Sequence, residues 1–114
     1  MSEKQLEVVE EVKEEVVASG VGTYKFKKPT TIDGEVVTEI NYDLTSLNGS
    51  SVRRVKGELS RRGYIVAANI IDEVFHAALF AEATGLTLDN VESFALVDYM
   101  EVANIVQVFW NGED

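Results

Sequence analysis

The chain has 114 residues, 46% hydrophobic and 26% charged, with ten Lys or Arg against twenty Asp or Glu and a formal charge of −10. That length supports one domain with a single modest core, and the acidic balance disfavours general nucleic-acid binding. With no cysteine there is no disulfide and no thiolate metal site, and no run approaches the roughly 18 apolar residues of a membrane span.

Residues 1–19 carry six Glu against two Lys and lack the basic-then-apolar order of a signal peptide; a cytosolic setting fits. Leu6, Val9, Val12 (or Lys13) and Val16 have helix-like spacing, so this stretch suits either a short amphipathic helix or a mobile arm. Gly20 and Gly22 break the pattern and are read as a linker. Residues 1–22 are therefore expected to be an acidic arm, flexible or helical, and residues 23–114 a single domain.

From Thr23 the period becomes two. Tyr24, Phe26 and Lys28 alternate with Lys25 and Lys27, as in a half-buried strand, and Pro29 suggests a strand end or an edge. Asp33-Gly34 is a two-residue turn signal, because both central positions of a type I′ turn need positive φ. A second strand follows to Leu44, with Val36, Thr38, Ile40, Tyr42 and Leu44 on one face. The hairpin, 23–44, is marginal alone, so its apolar face must rest on helices or on another chain.

Four helices are expected after it. The first, about 51–62, follows the loop from Leu47 and is capped by Ser50 or Ser51. Val52, Val55 and Leu59 form its apolar stripe and Gly63 its stop. The second, 65–84, has one narrow polar stripe of Asn69, Asp72, Glu73 and His76. Its apolar face is far wider than the roughly 100° of an ordinary surface helix, which makes it the central helix or part of an interface. Gly85 ends it. Thr87 caps a short helix, 87–94; Thr87 and Asn90 have capping-box spacing, but Asn90 is not the Glu or Gln of that motif. The last, 97–110, shows a thin polar stripe of Asp98, Glu101, Asn104 and Gln107. The expected fold is α+β: an N-terminal β-hairpin followed by a bundle of three to four helices.

Charge is unevenly placed. Arg53, Arg54, Lys56, Arg61 and Arg62 are grouped with only Glu58, whereas from Ile71 onward there are nine acids and no Lys or Arg. The basic group is expected to neutralise acidic regions within or between subunits. The alternative is an anion or nucleic-acid contact through Arg53, Arg54, Arg61 and Arg62, but it lacks the interleaved aromatics of single-strand binding.

Chemistry-bearing patterns are sparse. His76 is the sole histidine and has Asp72 one turn back; no second histidine completes a metal site, and a solvated or hydrogen-bonded surface histidine is the expectation. Asp98 and Glu101 lie one turn apart, and helix-start acids favoured by the dipole account for them. Asp33-Gly34-Glu35 lacks the alternating oxygen ligands of a calcium loop, and no glycine-rich phosphate loop is present. The expectation is a non-enzyme without cofactor or metal.

Three segments resemble the tail assembly chaperones of long-tailed bacteriophages, over roughly 23–110. They are the hairpin KPTTIDGEVVTEINYDL; the Leu47-Asn48-Gly49 loop that opens a charged helix; and Ala83-Thr84-Gly85-Leu86 followed by Asp98-Tyr99 and the run Asn104 to Trp110. The resemblance implies a small non-virion protein that self-associates and coats the long helical tape measure protein in the host cytoplasm before the tail tube polymerises. It also implies a longer frameshifted product that can recruit the tube subunit. A holdase needs broad apolar surface for its client and net charge for solubility. Phe75, Leu79, Phe80, Tyr99, Val102, Val106, Phe109 and Trp110 are the candidate core-or-interface residues. The alternatives are a structural tail or head–tail joining subunit, or a small regulatory protein contacting DNA through its arginines. An enzyme, with His76 and Asp72 as its only candidates, stands last.

Overall fold

The computed structural model describes residues 20–69 and 71–112; the arm expected over residues 1–19 lies outside the described residues. The fold is α+β. A hairpin of β1 (Val21–Ile32) and β2 (Glu35–Asp43) leads through a 3₁₀ turn, Leu44–Ser46, into four helices. These are α1 (Gly49–Arg61), α2 (Glu73–Thr84), α3 (Leu88–Glu92) and α4 (Leu96–Trp110).

The hairpin closes at Asp33 and Gly34, whose φ of 53° and 84° supply the two positive values of the turn. Its first strand begins two residues earlier than expected. Gly22 pairs with Tyr42 inside the ladder and is not part of a linker. Gly20 is where the chain turns into the strand: its φ is +82°, and a Cβ there would lie 2.5 Å from the Phe109 ring. Its carbonyl accepts the Leu44 amide at 2.6 Å.

Pro29 marks neither end of β1 but an irregularity inside it. Lys25 pairs with Glu39 and Thr30 with Val37, so residues 26–29 stand opposite Thr38 alone. A bulge of this kind leaves amides without ladder partners and redirects side chains. Tyr24, Phe26, Thr30 and Tyr42 are buried, while Lys28 is exposed. The expected inward face of β2 therefore holds only for Ile40, Tyr42 and Leu44. Beyond the bulge Val36 is 71% exposed and Val37 packs on the core in its place.

Asn48 caps α1, not Ser50 or Ser51. Its side chain accepts the Ser51 amide, and the Ser51 hydroxyl accepts the Asn48 amide, each at 3.1 Å. Thr87 and Asn90 reciprocate in the same way at α3, at 3.1 and 3.0 Å. The shorter Asn90 side chain thus closes the box that Glu or Gln usually closes.

The largest departure is the second helix. It begins at Glu73, with Asp72 as its cap bonded to the Phe75 amide at 2.9 Å, and residues 64–69 and 71–72 are not helical. Gly63 ends α1, and β-branched Ile65, Val66 and Ile71 precede an Asp whose side chain competes for helix-start geometry. That competition outweighs the apolar periodicity. What remains of the helix is central: every residue from Phe75 to Ala81 is buried, and the helix packs on α1, α3, α4 and β2.

Candidate protein-binding surface

The eight candidate apolar residues divide by burial. Phe75, Leu79, Phe80, Val102 and Val106 are at most 1% exposed and form the core with Leu44, Leu59 and Val91. Tyr99, Phe109 and Trp110 are half-buried at its margin. Trp110 packs against Phe75 at 5.5 Å between ring centroids with the ring planes at 79°, so the indole is held in part from within.

Beside that margin lies an apolar groove of roughly 360 Å³, lined by Leu47, Asn48, Val52, Leu79, Val106, Phe109 and Trp110. Two of the three half-buried candidates thus meet in one depression. A second apolar surface comes from residues the sequence reading did not single out. Leu96, Val97 and Met100 are 75%, 44% and 44% exposed on the first turn and a half of α4. Ile65 and Ile71, 76% and 68% exposed, project from the connection before α2. The signal that would have found Leu96 and Met100 is their i, i+4 spacing, about 120° around the helix from Val102 and Val106.

The expected polar stripe of α4 does not face solvent as one band. A spacing of three residues falls about 60° short of a full turn at each step, so Asp98, Glu101, Asn104 and Gln107 wind across the helix. Its first member faces inward. The Asp98 side chain is fully buried and accepts the Tyr24 hydroxyl at 2.5 Å and the amides of Lys27 and Lys28 at 2.8 and 3.1 Å. Those amides belong to the bulge, so the carboxylate replaces acceptors that β2 does not supply. Burial alone would raise the Asp98 pKa, but the Tyr24 hydroxyl and the two amides bond the charged form and hold it below 3.8. Burial, followed by the bond to Asp98, drives the Tyr24 pKa well up from 10.0. Asp98 is the acid of the first turn of α4, as expected of a helix start, and it also ties α4 to the hairpin. Glu101 meets exposed Lys27 at 3.3 Å beside it.

His76 is likewise not a surface residue. It is fully buried, and its Nε2–H donates to the Asn69 carbonyl at 2.7 Å. The buried Nδ1 has no hydrogen-bond partner among the described residues. Phe75 and Trp110 are its ring neighbours. Burial lowers its pKa from 6.5 and outweighs the opposing pull of the Asn69 bond and of Asp72, so the ring is neutral and serves as packing. Asp72 is occupied elsewhere, by the Phe75 amide and by the Tyr64 hydroxyl at 2.8 Å. The two are not arranged as base and orienter.

The arginines flank a separate cleft of roughly 500 Å³ between α1 and the α2–α3 corner. Arg54 pairs with Glu82 at 2.5 Å, Arg61 with Glu58 at 2.9 Å, and Arg62 with both Glu58 and Asp89 at 3.2 and 3.0 Å. The bonds from Arg61 and Arg62 hold the Glu58 carboxyl below its usual range. Three of the four candidate contacts are therefore already matched by carboxylates, and of the four only Arg53 has no ion pair among the described residues. A phosphate backbone would have to displace those carboxylates.

Among the described residues no group of three His, Asp or Glu is placed to hold a metal ion, and no helix is long and apolar enough to cross a membrane. Comparisons with family models, curated proteins and solved structures return no match for this chain.

Proposed function

We propose that this chain is a non-enzymatic tail assembly chaperone that binds the tape measure protein of a long-tailed phage and keeps it soluble until the tube forms around it. The observation that carries the reading is the exposed surface of Leu96, Val97 and Met100 on α4; Ile65 and Ile71 are exposed as well, on the connection before α2. The α4 surface lies in a part of the chain with acids and no Lys or Arg. Apolar contact with an amphipathic helix, within a molecule of net charge −10, is what reversible coverage of a long apolar client requires. The motif resemblance over 23–110 supports the identity of the client.

In this reading the chain works in the cytoplasm of the bacterial host and self-associates. Among the described residues β2 has no strand on its outer side, which suits pairing between copies. A longer frameshifted product would bring the tail tube protein to the same complex.

The test is co-expression with the tape measure protein. Tape measure protein soluble only in the presence of this chain, in a complex that co-purifies, supports the proposal. Insoluble tape measure protein beside a soluble, monomeric chain contradicts it. Finding the chain in purified virions identifies it instead as a structural tail or head–tail joining subunit.

A further inference from the structure

Resting on the protein-binding role given above to the start of α4, we infer that this surface selects one kind of partner. It takes an amphipathic helix whose apolar stripe is bordered by Lys or Arg.

The exposed apolar strip of α4 is narrow and has an acidic margin on each side. At about 100° per residue, Leu96, Met100 and Val97 together cover about 100° of the helix surface. Tyr99 stands about 60° beyond Leu96 on one side, and Glu101 about 40° beyond Val97 on the other. A strip of that width matches the apolar stripe of a single amphipathic helix, roughly 100° across.

Carboxylates gather on the Tyr99 side. Tyr99 is half-buried against the core. Burial raises the pKa of its hydroxyl, and the charges of Glu73 and Glu92, then of Tyr64 and Asp72, raise it further. These groups converge from different elements. Glu73 opens α2, Asp72 caps it and accepts the Tyr64 hydroxyl at 2.8 Å, and Glu92 closes α3 four residues before Leu96. Glu73 and Glu92 are exposed, and neither has an ion pair among the described residues. On the opposite margin Glu101 meets Lys27 at 3.3 Å. No Lys or Arg occurs in α2, α3 or α4.

Apolar contact alone gives adhesion without choice of partner, and the border charges supply the choice. A helix with Glu beside its apolar stripe would set like charges against Glu73 and Glu92, whereas Lys or Arg at the same places would be drawn to them. Both carboxylates are exposed, so the preference weakens as salt screens it.

Two labelled helical peptides with the same leucine stripe, one bordered by Lys and the other by Glu, are titrated with the full chain at low salt. The Lys peptide should bind about tenfold more tightly. Glu73→Gln with Glu92→Gln should cut that preference severalfold. Glu35→Gln with Glu39→Gln on β2 removes the same charge and should leave it intact. Leu96→Ser with Met100→Ser should abolish binding of both peptides. Equal binding of the two peptides overturns the inference and leaves the helix-binding role standing. A preference that survives the changes at Glu73 and Glu92 belongs to net charge and overturns it too, as does binding that survives the Ser changes. Binding of neither peptide also overturns it; a wild-type dimer that the Ser changes dissociate then puts a second copy on the surface. Failure of the chaperone reading shows separately, as tape measure protein left insoluble on co-expression.

Discussion

Asp98 is the one fully buried carboxylate among the described residues. A fully buried carboxylate costs several kcal/mol unless its lone pairs are taken up; here one hydroxyl and two amides take them up. Asp98→Asn keeps the shape but turns a donor toward those donors, and a loss of about 2 kcal/mol is expected from urea unfolding. The wild-type pH profile carries the same signature. Because the folded pKa lies below 3.8, the Asp98 contribution is present above that pH and is lost as pH falls through the folded value. His76 acts earlier on the same limb. Its folded pKa lies below 6.5, so as pH drops past 6.5 the unfolded chain takes up a proton that the fold refuses. Stability then declines until the folded pKa is passed. His76→Gln should flatten the slope just below pH 6.5 in thermal melts; an unchanged slope would mean that the imidazole is not held neutral. Neither burial was legible beforehand. A polar residue in an apolar helix reads as its solvent face, and only the approach of Tyr24 from a distant strand, or of the Asn69 carbonyl, supplies the missing partner.

At the scale of elements, ends and turns were easier to read than faces. The Asp33-Gly34 turn, the Gly63 and Gly85 stops and the Thr87 cap depend on a few adjacent residues and stand where local chemistry puts them. The faces depend on phase. The bulge at residues 26–29 shifts the inward side of β2 from Ile40 to Val37, and no alternation count across Pro29 reveals how many residues it holds. The second helix failed for a related reason: the apolar run from Ile65 to Ile71 has helical content but no helical start, and the start comes only at Asp72. Cap identity is open to a differential measurement. Asn48→Ala should cost about 1 kcal/mol, and Ser50→Ala much less, in chemical denaturation. The reverse order would put the cap at the serine.

At the scale of the molecule, the apolar excess between Phe75 and Trp110 is shared between interior and surface. Phe75, Leu79, Phe80, Val102 and Val106 supply the core. Tyr99, Phe109 and Trp110 stand at its margin, and Leu96, Val97 and Met100 are exposed at the start of α4. Burial cannot be read from composition alone, because a core residue and a contact residue are the same kind of side chain; which is which was decided by the phase of α4 against the hairpin and α2. The arginine cluster is an internal counterweight to Glu58, Glu82 and Asp89.

On the proposed function, the exposed turn of α4 holds the client. Leu96→Glu with Met100→Glu adds charge at positions outside the core, so chain stability should change by no more than about 0.5 kcal/mol per site. The decisive measurement is the soluble fraction of tape measure protein co-expressed with this double variant. It should fall to the level seen without any chaperone while the variant itself stays folded and soluble. Undiminished solubilisation by a folded variant would contradict it.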